Sequence, residues 1–392
     1  MMRKYKLSDV AVVNPKDKLE DLAIRVSFVP MQNVSENGDI DVSQTRLALE
    51  VSKGFTSFVD GDVLMAKITP CMENGKGAVA TGLCNGRGFG STEFFVIRPD
   101  HTKVRSEWIY YYTTQKQFRL DCEHNMTGSA GQKRVPKAYL ENKKIEIPAL
   151  AEQDDVLAKL GHIKRILTLR QQQLQKLDEL VKARFVEMFG DMYLNSKGWS
   201  EAKLESMADV VSGITKGRKT KSEDLTEVPY MAVSNVKDGY IDWTTVKTIE
   251  ATQQEIEQYR LLADDVLMTE GGDPDKVGRG AIIKEPLENC IHQNHIFRVR
   301  LDESVVLPEF FAEYLQHQRS KRYFLGCAKQ TTGIASINMT QLRALPVLIP
   351  PLSKQEEFVL FKPQVDKSKV AVQKALDETQ LLFDSLMQEY FG

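Results

Sequence analysis

One ending occurs twice in this chain. Residues 183–190 read ARFVEMFG and residues 385–392 read SLMQEYFG, so Phe189–Gly190 and Phe391–Gly392 stand 202 positions apart. The offset recurs upstream. Gln32-Asn33-Val34 matches Ser234-Asn235-Val236. Gly61-Asp62-Val63-Leu64-Met65 matches Asp264-Asp265-Val266-Leu267-Met268, shifted by one. Ile147-Pro148-Ala149-Leu150 with Gln153 matches Ile349-Pro350-Pro351-Leu352 with Gln355. A repeat of this length constrains a fold strongly, because each copy must form the same unit. The halves share a plan: a mixed globular region, then I-P-x-L-x-x-Q, then a long helix. The similarity is weakest between these landmarks, as expected of two modules with one architecture and different targets. Duplication for stability alone is the plainer reading.

The long helices are legible residue by residue. Val156, Leu160, Ile163, Leu167, Arg170, Leu174, Leu177, Val181, Arg184 and Met188 alternate spacings of four and three, a heptad stripe. The offset carries them to Phe358, Lys362, Val365, Lys369, Val372, Leu376, Thr379, Phe383, Leu386 and Tyr390. The polar interruptions differ. Arg170 and Arg184 align with Val372 and Leu386, whereas Lys362 and Lys369 align with Leu160 and Leu167. Gly161 aligns with Pro363, which predicts a break or kink near the start of each helix. Neither stripe can be buried alone, so the helices are expected to pair. The second helix must run back along the first, giving an antiparallel coiled coil. About 38 residues at roughly 1.5 Å per residue span on the order of 57 Å, longer than a DNA turn of about 34 Å. An ordinary helical hairpin between two domains has the same geometry.

The expected architecture is therefore α/β: two similar mixed modules, residues 1–150 and 191–351, with long helices at 151–190 and 352–392 and a pseudo-two-fold relation. STEFFVIRP (91–99) and HQNHIFRVR (292–300) alternate as strands do. SEWIYYYTTQKQF (106–118) and PEFFAEYLQHQRS (308–320) read as helices whose aromatics face a core. Gly-rich polar loops occupy comparable places: 69–78, 85–92 and 127–136 in the first module, 213–222, 270–281 and 330–338 in the second. Such loops allow close backbone approach and offer donors to bases or phosphates, although ordinary turns have a similar composition.

Composition excludes several classes. The 392 residues exceed one ordinary domain. A hydrophobic content of 42% and mean hydropathy of −0.33 argue against a membrane protein. The opening MMRKYKLSDV lacks the apolar core of a signal peptide. Five cysteines without CxxC spacing read as reduced thiols, and the expected location is cytoplasmic. Net charge is −2. The first module carries 21 Lys and Arg against 18 Asp and Glu, the second 19 against 23, so DNA contact would have to use local patches.

Catalytic motifs fail in turn. GITKGRKT (213–220) has Arg218 where a phosphate loop needs Lys. Asn14-Pro15-Lys16-Asp17 and Asp273-Pro274-Asp275-Lys276 do not match the Asn/Asp-Pro-Pro-Tyr/Phe motif of amino-methylation. Cys290, His292 and His295 approach ligand spacing without a fourth partner, and strand alternation accounts for them better. Pro99-Asp100 is not followed by a nearby Glu-x-Lys, and Ser, His and Asp lack a nucleophile elbow. The chain reads as non-catalytic, with no cofactor or metal of its own.

In their order, DVLMAK and DVLMTE, GSTEFFVIRP, IEIPALAEQ and VLIPPLSKQ, and the endings ARFVEMFG and SLMQEYFG resemble the specificity subunit of bacterial type I restriction–modification enzymes. The resemblance covers essentially the whole chain; the acidic second module departs from it. It implies two target-recognition domains that each read half of a split, asymmetric sequence in double-stranded DNA, with the coiled coil setting the gap. It implies two methyltransferase subunits docked on the helices and a restriction–translocase subunit, with S-adenosylmethionine, ATP and Mg used by those partners. It also implies that the first helix ends where an ancestral half-length chain ended. It identifies no individual base-reading residue. Loop position and donor chemistry select Lys76, Arg87, Ser129, Gln132, Lys133 and Arg134 in the first module, and Lys216, Arg218, Lys219, Arg279, Thr332, Ser336 and Asn338 in the second. Three alternatives stand beside this reading: a specificity chain of another restriction type, an adaptor whose modules bind proteins or glycans, and a stand-alone methyltransferase, which the missing catalytic and donor-binding motifs disfavour.

Overall fold

The computed structural model describes the chain apart from residues 1, 2, 18, 20, 130, 219–223, 274–276, 332 and 333. It forms two compact units, Met1–Gln172 with Gln373–Gly392, and Gln173–Val372. The division falls inside the two long helices, Leu150–Phe189 and Leu352–Phe391.

In the first unit a four-stranded sheet runs in the order Ala11–Val13, Phe94–Pro99, Val63–Ala66, Gly77–Val79. The DVLM motif supplies its buried strand. Val63 and Met65 enter a core with Phe95, Ile97 and Trp108, while Leu64 points into another with Val29, Phe58 and Phe94. Successive side chains on a strand face opposite ways, so an unbroken apolar run is what a sheet covered on both faces requires. A second four-stranded sheet takes Thr45–Leu47, Arg25–Val29, Arg87–Gly90 and Thr56–Val59, with Arg25–Val29 parallel to Arg87–Gly90. A short antiparallel pair, Arg3–Lys6 with Lys144–Ile147, closes the module before the long helix.

The second unit repeats this frame. Its four-stranded sheet is Ala208–Ser212, Ile296–Leu301, Val266–Thr269, Gly280–Ile282, and Ser200–Lys203 pairs with Pro346–Ile349. Val266 and Met268 face one core and Leu267 another. Buried Asp62 takes Arg98 in a two-pronged ion pair at 2.7 and 2.7 Å and accepts the Val59 amide at 2.9 Å. Buried Asp265 does the same with Arg300 at 2.7 and 2.8 Å and with the Leu262 amide at 2.7 Å. A Cβ at Gly77 would lie 2.6 Å from the Leu64 carbonyl, and one at Gly280 would lie 2.8 Å from that of Leu267, so close strand approach demands glycine at both places.

The aromatic segments are core, as their pattern predicts: Trp108, Phe310, Phe311 and Tyr314 are fully buried. Each segment is two helices rather than one. Ser106–Thr114 and Lys116–His124 are separated by extended Gln115, whose side chain donates to the Met387 carbonyl at 2.9 Å. Pro308–Gln316 and Gln318–Cys327 are separated by extended His317.

The repeated glutamine of I-P-x-L-x-x-Q is a buried clamp. Gln153 accepts the Arg105 amide at 2.9 Å and donates to the Lys103 and Pro148 carbonyls at 2.9 Å each. Gln355 accepts the Leu307 amide at 2.8 Å and donates to Val305 at 3.1 Å and Pro350 at 2.9 Å. Every partner shifts by 202.

None of the twenty stripe residues on the long helices is exposed. In the first unit the helix segments are antiparallel. Val156 and Leu160 share a core with Phe391, and Arg170 donates to the Ala375 carbonyl and the Thr379 hydroxyl. In the second, Phe185 meets Phe358 with ring centres 5.3 Å apart, Arg184 pairs with Glu357 at 2.7 Å, and Lys369 pairs with Asp178. Gly161 and Pro363 do not end their helices. Burial of Phe358 and Val365 on either side of Pro363 holds the turns together despite the lost backbone donor.

Gln153→Ala or Gln355→Ala strands a buried amide and two carbonyls, and each should cost about 3 kcal/mol or more in urea unfolding. A Cβ at Gly161 meets nothing within 4 Å, so Gly161→Ala should raise the unfolding midpoint, by up to about 1 kcal/mol.

Candidate nucleic-acid interface

Three loops of the first module are fastened at one junction. The Lys67 amide donates to the Glu93 carbonyl at 2.9 Å, the Val135 amide to the Lys67 carbonyl at 2.9 Å, and the Thr69 amide to the Lys133 carbonyl at 3.1 Å. Segments 67–76, 91–93 and 127–135 are thereby brought together. Arg134 sits between them. Its Nε and Nη2 donate to the Glu93 carboxylate at 2.9 Å each, and Nη1 donates to the Gln132 carbonyl at 2.9 Å. This pairing first of all holds the Glu93 carboxyl below its ordinary range. Ser129, Gln132 and Lys133 are exposed on the turn beside it. Half-buried Lys76 reaches the Met31 carbonyl at 3.4 Å. Arg87 lies at the opposite end of its strand from Gly90, near Asp17, whose carboxyl is held low first by Arg98 and to a lesser degree by Arg87.

The second module builds the same junction from different residues. The Glu270 amide donates to the His295 carbonyl at 3.0 Å and the Ile337 amide to the Glu270 carbonyl at 2.8 Å. The Glu270 carboxylate meets His295 Nδ1 at 2.5 Å. Ser336 lies on a strand, Ile334–Ser336, that pairs with Gly271–Gly272 and Lys329–Thr331. Among the described residues, the buried Nε of Arg279 has no hydrogen-bond partner. Lys216 is exposed on a loop tied to the junction through Ile214, whose amide donates to the His292 carbonyl at 2.8 Å and whose carbonyl accepts from Asn294 at 3.0 Å. Two selected residues are committed within the protein. Arg218 clamps Glu255 at 2.5 and 2.5 Å and the Glu250 carbonyl at 3.0 Å. Asn338 caps helix Met339–Arg343 by accepting the Gln341 amide at 2.9 Å. Lys219 and Thr332 lie outside the described residues.

Superposing the frames by these backbone bonds pairs Lys67 with Glu270, Lys76 with Arg279, Glu93 with His295 and Arg134 with Ser336. Loop composition did not pick out Lys67, Glu93, Glu270 or His295. The usable signal was their place beside the DVLM and F-x-x-R motifs at a near-constant offset.

Some groups that could do chemistry are buried within the fold. Cys122 and Cys290 have thiols pushed up to about 12 by burial. Among the described residues no three His, Cys, Asp or Glu converge as a metal site. His292 is buried between the Tyr259 carbonyl, 3.0 Å from Nδ1, and the Val211 carbonyl, 3.3 Å from Nε2. Burial lowers its pKa from 6.5 to about 4 despite both carbonyls. The folded chain then binds fewer protons than the unfolded chain between these values. Stability is full above pH 6.5 and falls toward pH 4, by roughly 2–3 kcal/mol. His292→Gln should flatten this part of the acid limb, seen by comparing urea midpoints at neutral and mildly acid pH.

A buried frame written twice, carrying different polar residues at matching loop junctions, is the build of a two-module recognition protein. One family model, the type I restriction modification DNA specificity domain, matches residues 2–179 and again 196–379. The chain belongs to that family. It is 25% identical over 481 aligned positions to the type I restriction enzyme EcoEI specificity subunit of Escherichia coli, covering 97% of this chain and 81% of that one. It is 37% identical over 177 residues to the EcoAI specificity subunit of the same species, covering 44% of this chain and 30% of the relative. Two solved chains share the fold. One, from a type I restriction–modification system studied for its assembly and conformational transition, is 18% identical with a TM-score of 0.62, covering 100% of this chain and 97% of that one. The other, the S subunit of a type I system from M. genitalium, is 14% identical with a TM-score of 0.57 and coverage of 100% and 96%.

Proposed function

We propose that this chain is the DNA-specificity subunit of a type I restriction–modification complex, and that its two modules read the two halves of a split, asymmetric duplex sequence. The observation that carries this reading is the matched pair of loop junctions. The same backbone bonds hold Lys67, Lys76, Glu93 and Arg134 in one module and Glu270, Arg279, His295 and Ser336 in the other. Equal frames with unequal polar ends suit equal docking on DNA and unequal base readout. The acidic balance of the second module leaves the phosphate grip to local cations such as Lys216 and Arg279.

The chain itself is non-catalytic in this reading. Two methyltransferase subunits dock on the repeated helix surfaces, since near two-fold repetition offers identical partners equivalent sites. A restriction–translocase subunit completes the complex. S-adenosylmethionine, ATP and Mg belong to those partners, and the assembly works in the cytoplasm. Among the described residues no helix is long and apolar enough to cross a membrane.

The test is a genome-wide map of N6-methyladenine in cells carrying the partner methyltransferase with and without this chain. A bipartite motif that appears only with the chain supports the reading. A competent methyltransferase whose marks are independent of the chain removes it in favour of a protein- or glycan-binding adaptor. The helices should also set the gap between half-sites. Seven residues inserted into each helix at the level of Gln172 and Gln373 add about 10 Å, so the spacer should lengthen by about three base pairs at about 3.4 Å each while both half-sites persist. An unchanged spacer would sink the helices as a ruler.

A further inference from the structure

We propose that Arg134, steadied by Glu93, is the guanine-reading residue of the first module, and that the half-site read by this module contains a guanine recognised through N7 and O6. The inference rests on the reading of the loop junctions as a DNA interface, and it adds a base and a residue to it.

The guanidinium is oriented and still has donors to give. Arginine carries five N–H protons. Nε and one proton of Nη2 engage the Glu93 carboxylate, and one proton of Nη1 engages the Gln132 carbonyl. Among the described residues, one proton on each of Nη1 and Nη2 is left without a partner. Two donors on adjacent guanidinium nitrogens match the N7 and O6 acceptors that guanine presents in the major groove, and no other base edge there offers two acceptors in that arrangement. The side chain is 42% exposed, so a base edge can reach it. Gln132 and Lys133 are exposed on the same turn and can meet the flanking backbone.

A purely structural role explains the pair less well. The loops it touches are already tied by backbone bonds from Lys67, Thr69 and Val135. The second module makes two of those bonds, from Glu270 and from Ile337, with Ser336 where the first has Arg134. The junction therefore forms without a guanidinium. An ion pair this open to solvent adds little stability. What Glu93 does supply is orientation: it fixes the plane of the guanidinium before DNA arrives, which lowers the cost of ordering it on binding. Ser336 has one hydroxyl and cannot make the two-pronged contact, so the second half-site is not read this way at the matching position.

The experiment uses the full chain with its partner methyltransferase. First, methylation maps are compared for the native chain, Arg134→Ala, Arg134→Lys and Glu93→Gln, each checked for unchanged thermal unfolding. Arg134→Lys keeps the charge and loses the fork. In both Arg134 variants one guanine position in one half-site should become degenerate, with the other half-site intact. Glu93→Gln should relax the same position more weakly. Second, 7-deazaguanine is placed at each guanine of the half-sites in a synthetic duplex. At that one position it should weaken binding of the native complex by on the order of 10- to 100-fold, and leave Arg134→Ala binding unchanged. A native motif that no Arg134 variant alters, or native binding indifferent to 7-deazaguanine throughout, overturns the assignment and leaves the DNA reading standing. A native map without any bipartite motif overturns both.

Discussion

The fold depends on the inability of either long helix to bury its own stripe. Each helix begins in one unit and ends in the other, and its closing Phe-Gly is spent where it ends. Phe391 packs on Trp108 with ring centres 4.5 Å apart. Phe189 packs on Phe310 at 4.8 Å. Trp108 and Phe310 are themselves 202 positions apart. The doubled ending is thus two copies of one anchor, each completing the core of the module that did not start its helix. Remove the phenylalanine and the module loses a wall of its core, at a cost in the range of about 3–5 kcal/mol for a buried aromatic. The buried glutamine acts at the opposite end of each helix. It joins the first turn to the backbone of its own module through three hydrogen bonds, so helix direction is set where the helix begins.

The two anchorages are alike in frame and unlike in chemistry. Tyr111, Leu160 and Leu167 in the first unit correspond to Glu313, Lys362 and Lys369 in the second. The Glu313 carboxyl is raised by burial and pulled back down by Lys362, Lys369 and Lys182. Lys362 is held by Asp366 at 3.0 Å, and Lys369 by Asp178. These substitutions make sense only as a set. Lys369 without Asp178, or half-buried Glu313 without its lysines, would be a partly desolvated charge lacking its partner.

Much of this was legible in the sequence because it is local or periodic. The stripe at spacings of four and three, the DVLM strands and the aromatic helices follow from patterns a few residues long. The glutamine was visible as a landmark, yet its role was not, since its partners Lys103 and Arg105 lie some fifty residues away. Arg134 stands out by its loop, but Glu93, which orients it, is 41 residues upstream. Arg218 and Asn338 carried the right donors and spent them internally, one on Glu255 and one on a helix cap. Single-residue breakers misled in both directions. Gly161 and Pro363 left their helices continuous because packing on both sides outweighs the local cost, whereas Gln115 and His317, unremarkable in propensity, stand where helices are interrupted.

The junctions show why their side chains can change without endangering the fold. The loops are held by main-chain bonds that run from the residue after each DVLM strand to the residue before each F-x-x-R strand, and to the loop preceding the last short helix. Those bonds ask nothing of the side chains beyond room. Lys67 can become Glu270, and Arg134 can become Ser336, because neither is what ties the loops together. The shared frame consists of Asp62 with Arg98, Asp265 with Arg300, and the buried strand between two cores, which recur in both modules. Side chains at the rim are therefore free to differ in charge and reach. On the proposed reading, a new target would require only new rim residues on an old frame, so one scaffold could be written twice in a chain and serve two half-sites.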